Sequence, residues 1–328
     1  MRFEFSENNF FHLGLQQSHF SVQKIHRTCD KTNRERFKDT YYAFPATVHD
    51  IFLDIQNPDL GEKHIKKPKP SYLLLALRFL KKYPTKYNLA AVSGATEKTA
   101  LLRVWKYVDA IQALKQEKVR EVLPSLSVNY WLVTFVVTLT LFNYILLQIQ
   151  WIFDKDNDFD NHYVVSVDGV HFWIWEPSKF LSTTWYSPKY KKAALTYEIA
   201  LSLYHDKIVW VNGPFPAGEN DKKVFNKPDG LASKLKPGQV AIGDEGYVGQ
   251  KDKVVARNSL NDATTKEIKK RSKAWQETIN SRLKAFGILN QPFRCTGAHR
   301  LPRHKAALEA CLVIIQYELE NGSKLLRI

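Results

Sequence analysis

Two β-branched or apolar runs, "VVSVDG" at 164–169 and "QVAIGDEG" at 239–246, each end on an aspartate with a glycine close behind. Runs of this kind form strands with at least one buried face. A carboxylate at the end of such a strand is costly unless something cationic waits there for it. If the two strands are parallel-like neighbours, Asp168 and Asp244 meet at one edge of the sheet. Like charges at close range raise each other's pKa unless cations intervene. Hard divalent ions with oxygen ligands, Mg²⁺ or Mn²⁺, are the natural complement. A paired-metal site of this type activates a nucleophile and stabilises the leaving oxygen in phosphodiester chemistry. Two Asp-Gly-type turns account for the same residues, and spacing alone favours them, because Asp is so common in turns.

The segments around these aspartates predict a mixed α/β layer domain. "LTYEIALSLY" (195–204) and "KIVWVN" (207–212) pair antiparallel across a turn at His205–Asp206, and "KVVAR" (253–257) forms a further strand. A long helix over roughly 263–287 and a last apolar helix closing at Gly322 complete the chain. A third metal ligand belongs on the long helix. Ile268, Trp275, Ile279, Leu283 and Phe286 form its apolar stripe, and Glu277 lies nearly opposite, among Lys270, Lys273 and Lys284. One reading is a solvated face with weak ion pairs. The other is a metal-binding carboxylate flanked by lysines that hold DNA phosphates, which requires the stripe to pack on the final helix.

The chain carries 48 Lys+Arg against 33 Asp+Glu, a net charge of +15, which points to polyanionic partners such as nucleic acid. The excess sits in residues 1–125 and 167–328, while the segment between is acidic. Residues 1–70 predict a loosely ordered arm with a few short helices, ending in the basic linker "GEKHIKKPKP". Residues 71–125 predict three helices broken at Pro84 and at "SGAT", as in a helix-turn-helix. Leu101, Val104, Val108 and Ile111 share one face of the third helix, leaving Lys98, Arg103 and Lys106 for DNA. A small helical bundle with solvated lysines fits the same spacing.

Residues 126–160 form an apolar and acidic connector whose uncharged run, 131–153, is long enough for a membrane span. Its Thr, Asn and Gln content and its two basic neighbours favour a buried segment, or a retained intron, and no membrane is expected. Three cysteines, Cys29, Cys295 and Cys311, are too scattered for a disulfide framework and suit a reducing compartment. Cys295, His299, His304 and Cys311 lack the close Cys-x-x-Cys pair of a zinc site. Aromatics at 172–175 and 185–190 suit packing, or stacking on unpaired bases.

"VVSVDGVHF", "GPFPAGENDKKVF", "GQVAIGDEGY", "QETINSRLKAFGIL" and "YELENGSKLL", in this order, resemble DDE superfamily endonucleases of the PIF/Harbinger-like transposase group. The resemblance covers about residues 160–328, and the helix-turn-helix upstream fits the architecture. It implies a ribonuclease-H-like mixed-sheet catalytic core over 161–328. The family's first Asp, second Asp and helical Glu fall on Asp168, Asp244 and Glu277, both as catalytic residues and as ligands of Mg²⁺ or Mn²⁺. Asp221 stands where the family often has an acid and takes a supporting role. The implied activity is cutting and joining of DNA phosphodiesters at element terminal repeats and a target site. Double-stranded DNA, a second copy of the chain and an accessory DNA-binding protein are the implied partners, and the nucleus is the implied compartment. The alternative is a transposase-derived DNA-binding protein without nuclease activity. Two departures stand out: "AWQE" replaces the basic approach to the Glu, and the run at 131–153 has no counterpart in the family.

Overall fold

The computed structural model describes residues 5–18, 25, 28–60, 65–119, 163–176, 182–247, 249, 252–260 and 263–325. The connector at 126–160, with its uncharged run, lies outside the described residues. No helix among the described residues is long and apolar enough to cross a membrane.

The described residues among 1–70 include short helices, as expected, and pack more closely than a loose arm would. They carry α1 (Glu7–Gln17), α2 (Asp30–Tyr41) and α3 (Pro45–Asp54). Phe10, Phe37, Tyr41 and Ile51 are buried, and the Tyr41 hydroxyl donates to the Gly14 carbonyl at 2.9 Å. Helices this short are marginal by themselves and take their stability from tertiary packing. That is why no strong periodicity marks them in the sequence.

Next come α4 (Pro70–Lys82), α5 (Lys86–Ser93) and α6 (Glu97–Ala113), then the single turn α7 (Lys115–Lys118). The hydroxyls of Thr85 and Thr96 accept from the Asn88 and Thr99 N–H groups at 3.2 and 3.3 Å, capping α5 and α6. Val104, Val108 and Ile111 of α6 are buried, as their spacing predicts.

The second half alternates strands and helices. In chain order these are β1 (Tyr163–Trp173), α8 (Ser182–Trp185), β2 (Tyr186–Ser187), β3 (Lys192–Ser202) and β4 (Ile208–Pro216). Then follow α9 (Asp221–Phe225), α10 (Leu231–Lys234), β5 (Val240–Gly243) and β6 (Val254–Ala256). Last are α11 (Ala263–Lys284), α12 (Gly287–Asn290) and α13 (Arg300–Glu320). The sheet runs β4-β3-β1-β5-β6, with β2 pairing the start of β3. β1, β3 and β4 are antiparallel neighbours, whereas β5 and β6 lie parallel to β1.

Both faces of the sheet are covered. Val170, Phe172, Tyr197 and Ile199 pack towards α11 and α13, while Val167, Ala200 and Trp210 pack with Phe225, Leu231 and Tyr247 on the other side. Every residue of α13 from Ala306 to Leu319 is buried, because the sheet covers one side of it and the N-terminal helices the other. A helix apolar all round is stable only in such a position. Its charged residues are met: Glu309 takes Lys115 Nζ at 2.8 Å and Gln112 at 2.7 Å, and Glu318 accepts the Phe44 N–H at 3.0 Å. The helix closes as expected at Gly322, whose φ of 92° lets Ser323 N–H reach back to the Glu318 carbonyl at 2.8 Å.

One apolar core therefore unites the N-terminal helices with the sheet. Leu312→Ala, which truncates a fully buried side chain there, should cost about 2–5 kcal/mol. Urea unfolding read by tryptophan fluorescence and by far-UV circular dichroism should shift to lower urea in one coincident transition. A two-step curve would mean that the N-terminal helices unfold separately.

Candidate active site

β5 stops pairing with β1 at Ser166–Ile242, but β1 continues to Trp173. β1 thus runs on past the carboxyl end of β5, and the crevice beyond the carboxyl ends of parallel strands is the usual place for a site in such sheets. Side chains alternate across a strand. Ser166, Asp168, Val170 and Phe172 thus face α11 and α13, whereas Val167, Gly169, His171 and Trp173 face the opposite side.

The helix side is set by a match of two periods. Four residues of helix rise about 6 Å, and two residues of strand span about 6.8 Å. Gln276 and Asn280 of α11 are therefore in step with Ser166 and Asp168. Gln276 Nε2 donates to the Ser166 carbonyl at 2.9 Å, and Asn280 Nδ2 donates to Asp168 Oδ2 at 2.8 Å. The apolar stripe Trp275, Ile279, Leu283 and Phe286 turns into the core shared with α13.

Two further aspartates approach Asp168. Asp221, the first residue of α9, comes over the other face of β1 and lies so close to Gly169 that any Cβ there would collide with its Oδ1. Asp244 follows β5 and accepts the Gly246 N–H at 2.9 Å. An atom at the Cβ of Gly246 would lie 3.0 Å from Asp244 Oδ1 and 3.2 Å from Asp221 Oδ2, so these two carboxylates face each other across it. Buried Tyr247 lines the cluster from beneath and packs edge-on against Phe225.

The electrostatics follow from this crowding. Burial raises the Asp221 pKa to about 6, and the charges of Asp244 and Asp168 push the same way. Asp168 is raised by burial and by Asp244, against the Asn280 hydrogen bond, Arg257 and Lys189. Glu198 of β3, only 1% exposed, is lifted to about 7 by burial, against the hydrogen bond that Trp210 Nε1 donates to its Oε2 at 2.9 Å. Lys189 and Lys284 lie close enough to Asp168 for their charges to register.

Glu277 is not drawn into this cluster. With Gln276 and Asn280 on the sheet, residue 277 points about 100° round the helix. Its side chain is 68% exposed, 4.0 Å from Lys273 Nζ. The acids that the fold gathers are Asp168, Asp221 and Asp244, and the helix contributes Asn280. Lys98, Lys106, Lys270 and Lys273 are exposed, while Arg103 lies half-buried with its guanidinium 4.7 Å above the Tyr72 ring. His304 is buried 2.8 Å from the Tyr197 hydroxyl and Cys311 is buried in the core, so neither is placed as a zinc ligand.

Among the described residues no three His, Cys, Asp or Glu side chains are close enough to hold one ion together. The donor chemistry nevertheless suits Mg²⁺ or Mn²⁺, which take one or two carboxylates and complete their shell with water and phosphate. The repulsion that raises Asp221 is the kind a divalent cation relieves.

Residues 167–316 match the family model described as DDE superfamily endonuclease. The match supports the superfamily and spans all the acids above. No curated protein and no solved structure matches the chain.

Asp221 and Glu198 bind protons more tightly folded than unfolded, so the stability they lend is full at low pH and lost as pH rises through about 6 and about 7. The urea midpoint should therefore climb as pH falls from about 8 to about 5.5, and Mg²⁺ should restore it at the alkaline end. Asp221→Asn should flatten that slope. A Gly169→Ala variant should weaken Mn²⁺ binding measured by calorimetry, because the new methyl displaces Asp221.

Proposed function

We propose that the chain cuts and joins DNA phosphodiesters with divalent metal ions, as a DDE-type transposase of the PIF/Harbinger-like group. The observation that carries this reading is the convergence of Asp168, Asp221 and Asp244 in a crevice at the carboxyl ends of β1 and β5, inside the region similar to DDE superfamily endonucleases. The strand order β4-β3-β1-β5-β6, with three antiparallel strands followed by two parallel ones, supports a ribonuclease-H-like core.

Asp168 and Asp244 would hold Mg²⁺ or Mn²⁺, with Asp221 beside them. Such ions supply activation of water and stabilisation of the leaving oxygen. The chain's own groups do the positioning. Asn280 fixes one oxygen of Asp168 by donating to it. Tyr247 keeps the underside dry. Lys189 and Lys284 stand where phosphates flanking the cut would lie. Glu277 shares the flank of α11 with Lys284, and its exposed pairing with Lys273 is worth under about 1 kcal/mol. It is therefore free to turn towards bound metal and act as the helical acid.

The α4–α6 unit reads as a helix-turn-helix. Lys98 and Lys106 would meet DNA, as would Lys270 and Lys273 of α11, while Arg103 is braced on Tyr72. Double-stranded DNA at terminal repeats and a target site, a second copy of the chain, an accessory DNA-binding protein and the nucleus complete the proposal. The exposed position of Glu277 favours a second reading, a transposase-derived DNA-binding protein without nuclease activity.

Nicking of supercoiled plasmid in Mg²⁺ or Mn²⁺ separates the two. The nuclease reading expects Asp168→Ala or Asp244→Ala to lose roughly a thousandfold in rate, several kcal/mol of metal-derived stabilisation. It fails if wild type leaves the plasmid intact. Wild-type nicking by Glu277→Gln would give the third position to Asp221 alone. Lys189→Gln should lower the salt slope of duplex binding by about 0.9.

A further inference from the structure

The carboxyl end of β6 brings a fourth group to the crevice. β5 and β6 are parallel, and Gly243 pairs with Ala256. The next residues, Asp244 and Arg257, are thus neighbours on adjacent strand ends. The turn that Arg257 opens is tied down: the Asn258 amide donates to the Glu245 carboxylate, and Ser259 Oγ donates to the Ala256 carbonyl at 2.7 Å. Arg257 is therefore held at the crevice by its own backbone.

Its guanidinium is left unmatched. Nε and Nη2 are buried and meet no acceptor among the described residues. Other partly buried arginines are supplied: Arg303 straddles both oxygens of Asp109 at 3.2 Å, and Arg294 donates to the Pro84 carbonyl at 2.9 Å. Arg257 feels the charge of Asp168, yet no carboxylate among the described residues forms an ion pair with it. Buried N–H groups left without an acceptor are a standing cost to the folded state. Its planar fork of donors matches two oxygens of a phosphate better than a point charge does.

We infer that Arg257 binds the phosphate on which the aspartates act, gripping its two non-bridging oxygens from the β6 side of the crevice. The lysines at 189 and 284 serve the flanking backbone, and Arg257 serves the reacting group itself. This deepens the nuclease reading and rests on it for the identity of the phosphate as a phosphodiester. The affinity of Arg257 for a phosphate group is tested separately.

The full chain is to be melted with and without inorganic phosphate in Mg²⁺, as wild type, Arg257→Met and Arg257→Lys. Phosphate should raise the Tm of wild type and leave that of Arg257→Met unmoved, while Arg257→Lys regains less than half of the shift. Without phosphate, Arg257→Met should melt close to wild type, since it removes two unbonded buried N–H groups together with a charge that offsets Asp168. A purely structural arginine predicts the reverse, a lower Tm with the phosphate shift intact, and that result overturns the proposal. In plasmid nicking Arg257→Met should lose a hundredfold or more, with Arg257→Lys partly restored. If wild type cuts no plasmid but the phosphate shift still depends on Arg257, the nuclease reading falls and the phosphate site stands. Plasmid nicking at the wild-type rate by Arg257→Met overturns the assignment to the reacting phosphate.

Discussion

Three carboxylates that repel one another are held at one place, and much of the second half of the chain is arranged around that fact. Asp168 cannot move because β1 is pinned between β3 and β5 and its side chain is held by Asn280. Asp244 is fixed by the end of β5 and by the Gly246 N–H. Asp221 reaches the pair only because residue 169 has no side chain. Burial over Tyr247 then intensifies the repulsion, since charges in a drier medium interact more strongly. A fold that tolerates such crowding gives up stability at this one place.

The rigidity behind that arrangement comes from α13. Its buried length joins the sheet, through Tyr197–His304 and the Ile208 N–H to Gln316, with the N-terminal helices, through Arg303–Asp109 and Tyr317–Asp54. The three-helix unit α4–α6 is thereby docked on the same core as the aspartates. DNA held by that unit would approach the crevice in a fixed relation to it.

The sequence made some of this legible and hid the rest for physical reasons. A strand end is a local signal, so Asp168 and Asp244 stand out as carboxylates closing apolar runs. The apolar stripe of α11 and the antiparallel pairing of β3 with β4 are local patterns too. Asp221 carries no such mark. It sits on a helix of five residues, and its importance depends on Gly169, far away in the chain. The close packing of the short helices in residues 1–70 is equally hidden, since their aromatic anchors meet other elements. Arg257 reads as one more basic residue until its missing partner is seen.

Asn280 shows most directly why the helix residue at the site could not be read from charge alone. Helix and strand periods place residues 276 and 280 against Ser166 and Asp168, whatever their chemistry. A carboxylate at 280 would add a further negative charge against Asp168 before any metal arrived, and the apo fold would bear the repulsion. An amide there does the opposite: it donates to Asp168 and favours its charged form. The acid of α11 stands instead at Glu277, round the helix and in solvent, where it adds nothing to the crowding around Asp168. Glu277 therefore stays outside the cluster of Asp168, Asp221 and Asp244, and what α11 brings to that cluster is the amide of Asn280.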